Sequence, residues 1–243
     1  MSSKALFTQE NLDTYLKALA REYKKHGGKG MPAEIILIGG AAILANYGFR
    51  ESTYDMDALI DASSAMKDAI NHVGDEYGLP NGWLNEDFIK TKSYTPKIRQ
   101  YSVHYKEFGR ILEVRTVKAE YLIAMKLVSA RPYKNDLSDI VGILAEHQRL
   151  ENPMTFEKIQ RAVVELYGSA EQVSEEIWTM VKDAVDHPNA GELYQKYREA
   201  EMETKDLLVD FEQKYPKVLK EDNLAAIVAQ AKKKKEQLAN EKP

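Results

Sequence analysis

Ile35-Ile36-Leu37-Ile38-Gly39-Gly40, followed after residues 41–54 by Asp55-Met56-Asp57-Ala58-Leu59-Ile60, is the stretch that decides how this chain is read. The apolar, β-branched residues before the glycines suit a short buried strand better than a helix. Beyond the glycines, Ala41 to Tyr47 favours helix, and Gly48 stands where a helix can end. In the second run, read as a strand, side chains alternate, so Asp55 and Asp57 share a face. Two such carboxylates can grip a hard cation. A diglycine turn opening a helix lets a phosphate approach backbone N–H groups, because no Cβ intervenes and the helix end is electropositive. Together these features point to metal-assisted phosphoryl or nucleotidyl transfer.

Outward from this stretch, Leu12, Tyr15, Leu16, Leu19 and Tyr23 recur at helical spacing behind Thr8, a suitable N-cap. Met66, Ala69, Ile70, Val73 and Tyr77 form another helical face, and the segment around Trp83 and Leu84 reads as mixed loop and short structure. Tyr101–Tyr105 and Ile111–Val114 read as two strands of a hairpin with the loop Lys106–Arg110. Glu113 then sits mid-strand between Leu112 and Val114, an unusual place for a carboxylate. Thr116 is placed to cap a helix from Lys118 to Ala130, and a further helix runs from Asn135 to His147. This is an α/β (α+β) pattern, a mixed sheet flanked by helices. After Pro153 the chain reads as helix almost throughout: 155–167, 171–185, 191–215 and 221–240. The expected organisation is a catalytic domain over 1–150 and an all-helical C-terminal domain over 151–243 that ends in a basic tail.

Composition narrows the function. With 44% hydrophobic residues the chain can build a core, and its net charge of −4 gives no global basic field for nucleic acid. Ser169–Tyr215 carries twelve acidic and five basic residues, net −7, whereas 216–243 carries seven basic and four acidic, net +3, with Lys232–Lys235 its one basic block. Zero cysteines exclude disulfides, thiolate metal sites and cysteine nucleophiles. No apolar run reaches the roughly eighteen residues of a membrane span, and the first residues do not resemble a leader. A cytoplasmic protein with no membrane partner is expected. The five histidines, at 26, 72, 104, 147 and 187, lack ligand spacing and read as structural.

Ile38-Gly39-Gly40, then Gly48-Phe49-Arg50-Glu51-Ser52-Thr53-Tyr54-Asp55-Met56-Asp57, resembles the signature of the nucleotidyltransferase (polymerase β-like) superfamily. Tyr121-Leu122-Ile123-Ala124-Met125-Lys126-Leu127, with Arg131, Asp136 and Asp139, is similar to the helical segment after the catalytic sheet in its bacterial toxin-type branch. That branch includes the abortive-infection nucleotidyltransferases of type IV toxin–antitoxin systems. The resemblance implies that Asp55 and Asp57 hold two Mg²⁺ ions, with Glu113 as the third carboxylate and base. Gly39, Gly40, Ser52, Thr53 and Lys126 would meet the phosphates of a nucleoside triphosphate (NTP). It also implies transfer of a nucleoside monophosphate from an NTP to an acceptor hydroxyl, on tRNA or other RNA, in a toxin or phage-defence setting with a cognate antitoxin as partner. Ala41 stands where related turns carry a serine, so one phosphate contact is missing.

The residues themselves leave alternatives open. Glu113 can instead pair with Arg115 or Arg110, and Lys126 can be an ordinary solvated helix lysine. Arg50, Ser52 and Thr53 either bind nucleotide or build the turn. Asp136 reads as a helix cap, and Asp139 as a partner of Arg131. The acidic stretch 169–215 also suits a cationic acceptor, a small molecule or a protein side chain. A catalytically silent binding partner or antitoxin is a further alternative.

Overall fold

A computed structural model describes residues 6–129, 135–220, 223–224 and 226–230. Arg131, the Lys232–Lys235 block and most of the helix expected over 221–240 lie outside the described residues. Thr8 caps α1 (Gln9–Tyr23), its hydroxyl accepting from the Asn11 N–H while the Asn11 side chain accepts from the Thr8 N–H. The chain continues through β1 (Ala33–Leu37), α2 (Gly39–Asn46), β2 (Met56–Asp61), α3 (Ala65–Tyr77), β3 (Leu84–Asn85), β4 (Ser102–Phe108) and β5 (Leu112–Val117). Helices α4 (Ala119–Ser129), α5 (Asp136–Arg149), α6 (Phe156–Tyr167), α7 (Glu175–Asp186) and α8 (Ala190–Lys214) follow.

The five strands form one mixed sheet in the order β3-β2-β1-β5-β4. β1 runs antiparallel to β2 and parallel to β5, so its Ile35, Ile36 and Leu37 are flanked on both sides and fully buried. Because consecutive residues of a strand point to opposite faces and all three are buried, both faces of β1 are covered, which is why it is a continuous apolar run rather than an alternating one. β4, at the edge, is mostly exposed and bulged between His104 and Lys106, which blunts it against further pairing.

Several local expectations are corrected. The hairpin loop is shorter than five residues, because β4 runs on to Phe108, while β5 begins one residue later than expected, at Leu112; Gly109 and Arg110 turn with φ of 60° and 56°. Thr116 caps no helix: it is the fifth residue of β5, fully buried, and its hydroxyl donates to Asn46 Oδ1 at 3.2 Å. Gly48 is not a left-handed stop, since α2 ends in extended backbone at Tyr47. Asp136 is the first residue of α5 rather than its cap; Asn135 holds the cap position.

The chain divides into two compact units, and the division is not a single cut at residue 150. One unit joins Met1–Ser129 to Met154–Thr179, so α6 belongs with the sheet. There Tyr121 of α4 bonds to Glu165 of α6, and the Tyr167 hydroxyl donates to the Ser93 carbonyl at 2.7 Å. The other unit joins Ala130–Pro153 to Met180–Pro243 and is built on α5 and α8. In it, Glu201 of α8 accepts from the Ser138 N–H at 3.1 Å. Burial pushes the Glu201 carboxyl above the ordinary range, with the Ser138 hydrogen bonds opposing, and its second oxygen has no partner among the described residues. No helix of the described residues is long and apolar enough to cross a membrane.

Candidate active site

The site begins where β1 ends. Antiparallel pairing sets Leu37 against Ala58, and the next residues continue the ladder, the Ile38 N–H donating to the Asp57 carbonyl at 2.9 Å. Asp57 is therefore held beside the residue that leads into the diglycine turn, and its own side chain is half-buried and engaged. On the other side β3 sets Asn85 opposite Asp57. Asp55 stands one residue ahead of the strand, which starts at Met56, and is exposed. The acidic pair thus straddles the mouth of β2 instead of lying wholly within it.

The turn is shaped for close approach. Gly39 adopts φ +55°, a conformation glycine takes without the steric cost of a Cβ. At Gly40 a Cβ would fall 2.7 Å from Thr53 Oγ1 and 2.9 Å from Arg50 Nη2, inside van der Waals contact. Residues 47–55 fold back over the start of α2, tied down at several points. Thr53 exchanges both backbone hydrogen bonds with Phe7, at 2.8 and 2.9 Å. Its hydroxyl donates to the Asp55 carbonyl at 3.2 Å, and Arg50 Nε donates to the Ser52 carbonyl at 3.2 Å. The first N–H groups of α2 receive no side-chain cap from Ile38. A guanidinium beside uncapped helix N–H groups is an anion site by charge and by hydrogen bonding.

Of the residues expected at the site, the structure brings together Gly39, Gly40, Ser52, Thr53, Asp55 and Asp57. It adds Arg50, whose role the sequence leaves open. Ser52 contributes its carbonyl to Arg50, while Thr53 is buried and braces the turn. Glu113 is not brought there. It pairs with Glu34, which pairs in turn with Asp61, so it lies toward the far end of β2 from the acidic pair. Four residues of strand, roughly 13 Å, plus two strand spacings separate it from Asp57. The parallel run of β5 beside β1 is the cause: its end, not its start, meets the diglycine turn. Glu113 instead bonds to His104 at 2.8 Å, a partner not expected from the sequence, and lies 3.7 Å from Arg115, one of the two partners left open there. Lys126 is half-buried on α4, a helix otherwise buried along most of its length, and has a contact of its own.

Asp55 and Asp57 are the carboxylates that would hold a hard cation such as Mg²⁺, which would neutralise phosphate charge there. Among the described residues no three His, Asp or Glu side chains gather into a metal-holding group, so the third carboxylate implied by the resemblance is not supplied by these residues.

No curated protein and no solved structure matches the chain. A family model described as "nucleotidyltransferase of unknown function (DUF6036)" matches residues 14–205, which include the turn, the folded-back loop, the acidic pair and all five strands. With most of its length matched and its glycines, arginine and acids gathered where the inner strands β1 and β2 meet the diglycine turn, the chain belongs to this family of nucleotidyltransferases.

Proposed function

We propose that the protein transfers a nucleoside monophosphate from an NTP to an acceptor hydroxyl, releasing pyrophosphate. The observation that carries this reading is the cradle at Gly40, where a Cβ would strike Thr53 and Arg50, set beside Asp55 and Asp57. Phosphate oxygens meet the α2 N–H groups and the Arg50 guanidinium, which orients the α-phosphorus toward the acid pair. Asp55 and Asp57 would hold Mg²⁺, which when bound neutralises phosphate charge and polarises the reacting phosphoryl group. The acceptor oxygen bonds to the α-phosphorus as the bond to the pyrophosphate oxygen breaks. The hydroxyl proton passes to water at the exposed Asp55 edge.

The preferred acceptor is RNA, a tRNA end among them. From Phe88 to Lys106 the chain holds Lys90, Lys92, Lys97, Arg99 and Lys106 and no acidic residue, and this run begins three residues past Asn85, the partner of Asp57. Lys90 is ion-paired with Asp87, Lys106 with Asp13, and Arg99 lies 3.9 Å from Glu34, so it is chiefly Lys92 and Lys97 that this run offers to a polyanion. An enzyme blocking RNA ends would act as a toxin or phage-defence protein, with an antitoxin as its partner. The net charge of −7 over 169–215 favours instead a cationic small molecule or protein side chain. Incubation with each labelled NTP, Mg²⁺ and either total tRNA or cell extract separates the two. Label on RNA supports the first acceptor and label on protein or small molecules the second. No label in any fraction, with or without added Mg²⁺, overturns nucleotidyl transfer.

A further inference from the structure

Both ends of α2 lie at the same edge of the sheet. Gly39 follows Leu37 by two residues, and Asn46, the last residue of α2, accepts a hydrogen bond from Thr116, the β5 residue paired with Leu37. The eight residues of α2 span about 12 Å. Directly after Asn46 come Tyr47 and Phe49, half-buried, their ring centroids 5.7 Å apart and tilted by 35°. The residue after Phe49 is Arg50, whose guanidinium reaches back to Gly40. A ring pair and a phosphate cradle are thus carried by one short helix and the loop that returns from it.

We infer that Tyr47 and Phe49 form the stacking platform for the nucleobase of the NTP, an inference that rests on the nucleotidyl-transfer reading above. Stacking uses the π-face that every base offers, so the platform accepts all four bases and holds purines more tightly through their larger face. Arg50 divides the two tasks: on its one side aromatic rings take the base, and at its tip the turn takes phosphate.

The test compares binding of ATP, GTP, CTP and UTP with that of inorganic triphosphate, all with Mg²⁺, by calorimetry. Tyr47→Leu and Phe49→Leu should weaken NTP binding by roughly tenfold to a hundredfold. Triphosphate binding should change less than about twofold. Tyr47→Phe and Phe49→Tyr, which keep a ring, should bind NTPs like the wild type. Unchanged NTP affinity in both leucine variants overturns the platform while leaving nucleotidyl transfer standing. If the wild type binds neither NTPs nor triphosphate, nucleotidyl transfer falls and the platform with it. Should the leucine variants fail to fold, magnetisation transfer on the wild type decides. Saturating protein aromatic protons should reach the base protons of bound ATP before its ribose protons, and the reverse order overturns the inference.

Discussion

At the scale of single residues, Asp57 is the strictest test of the site. Its backbone is fixed by the Ile38 N–H, so Asp57→Asn removes charge without disturbing the ladder. Label transfer from NTP should fall by more than about a hundredfold, since even changes outside the ligand sphere of a metal cost 10–100-fold. Because Asn keeps the volume of this half-buried side chain, the melting midpoint should stay within about 4 °C of the wild type. Gly40→Ala makes a different demand. The new methyl meets Thr53 Oγ1, which belongs to a buried β-branched side chain that cannot swing aside, and Arg50 Nη2, which can. Overpacking of this kind costs about 1–3 kcal/mol, and displacing Arg50 should raise KM for the NTP more than it lowers kcat. Steady-state kinetics read that split directly. The glycines and the acid pair were legible in sequence because each has a chemical reason at a short spacing. Arg50 is a candidate in the sequence but its role stays open there, since nothing in a linear string shows that a loop returns to its starting turn.

At the scale of elements, the register of β5 decides what Glu113 does. A strand parallel to β1 brings its last residues to the diglycine turn, and the carboxylate lies near its start. Sequence periodicity identifies a strand and its faces but not its neighbour or direction, so a carboxylate in a strand looked catalytic when it was a partner for His104 and Arg115. Glu113→Gln should therefore leave label transfer within about twofold of the wild type. The stability change should stay under about 1 kcal/mol, because partly exposed ion pairs contribute little. Loss of activity comparable to Asp57→Asn would contradict the placement. Glu201 on α8 gives a pH-dependent test. Its folded-state value is raised by burial, so the fold favours the protonated acid. That contribution is complete below the ordinary value near 4.5 and is lost as pH rises through the raised value. Glu201→Gln keeps an acceptor for the Ser138 N–H and cannot ionise. It should raise the melting midpoint by about 2–4 °C near pH 7.5 and by progressively less toward pH 4.

For the whole molecule, the mixed sheet with flanking helices follows from alternating apolar runs and turns, and the sequence pattern finds it. The discontinuous unit does not follow in that way. Asn152-Pro153 reads as a boundary because it stops a helix, yet the next helix, α6, packs on α4 of the sheet-bearing unit. Local punctuation marks where elements end and carries no information on which unit they join. A fragment ending at residue 150 loses Glu165 from Tyr121 and Lys97, and loses Tyr167 from Ser93. It should melt at a lower temperature and bind more hydrophobic dye than a fragment ending at residue 179, and equal midpoints would count against the division.

The Met56 N–H, on the residue between the two acids, donates to the Trp83 carbonyl at 3.1 Å, and the Trp83 ring stacks on Phe7, whose backbone pairs with Thr53. The acid pair and the loop over the turn are therefore each one hydrogen bond away from a chain segment that touches the same indole. This makes Trp83 a built-in optical gauge for the proposed site: in a Trp178→Phe background, addition of Mg²⁺ or NTP should change its emission without any attached dye.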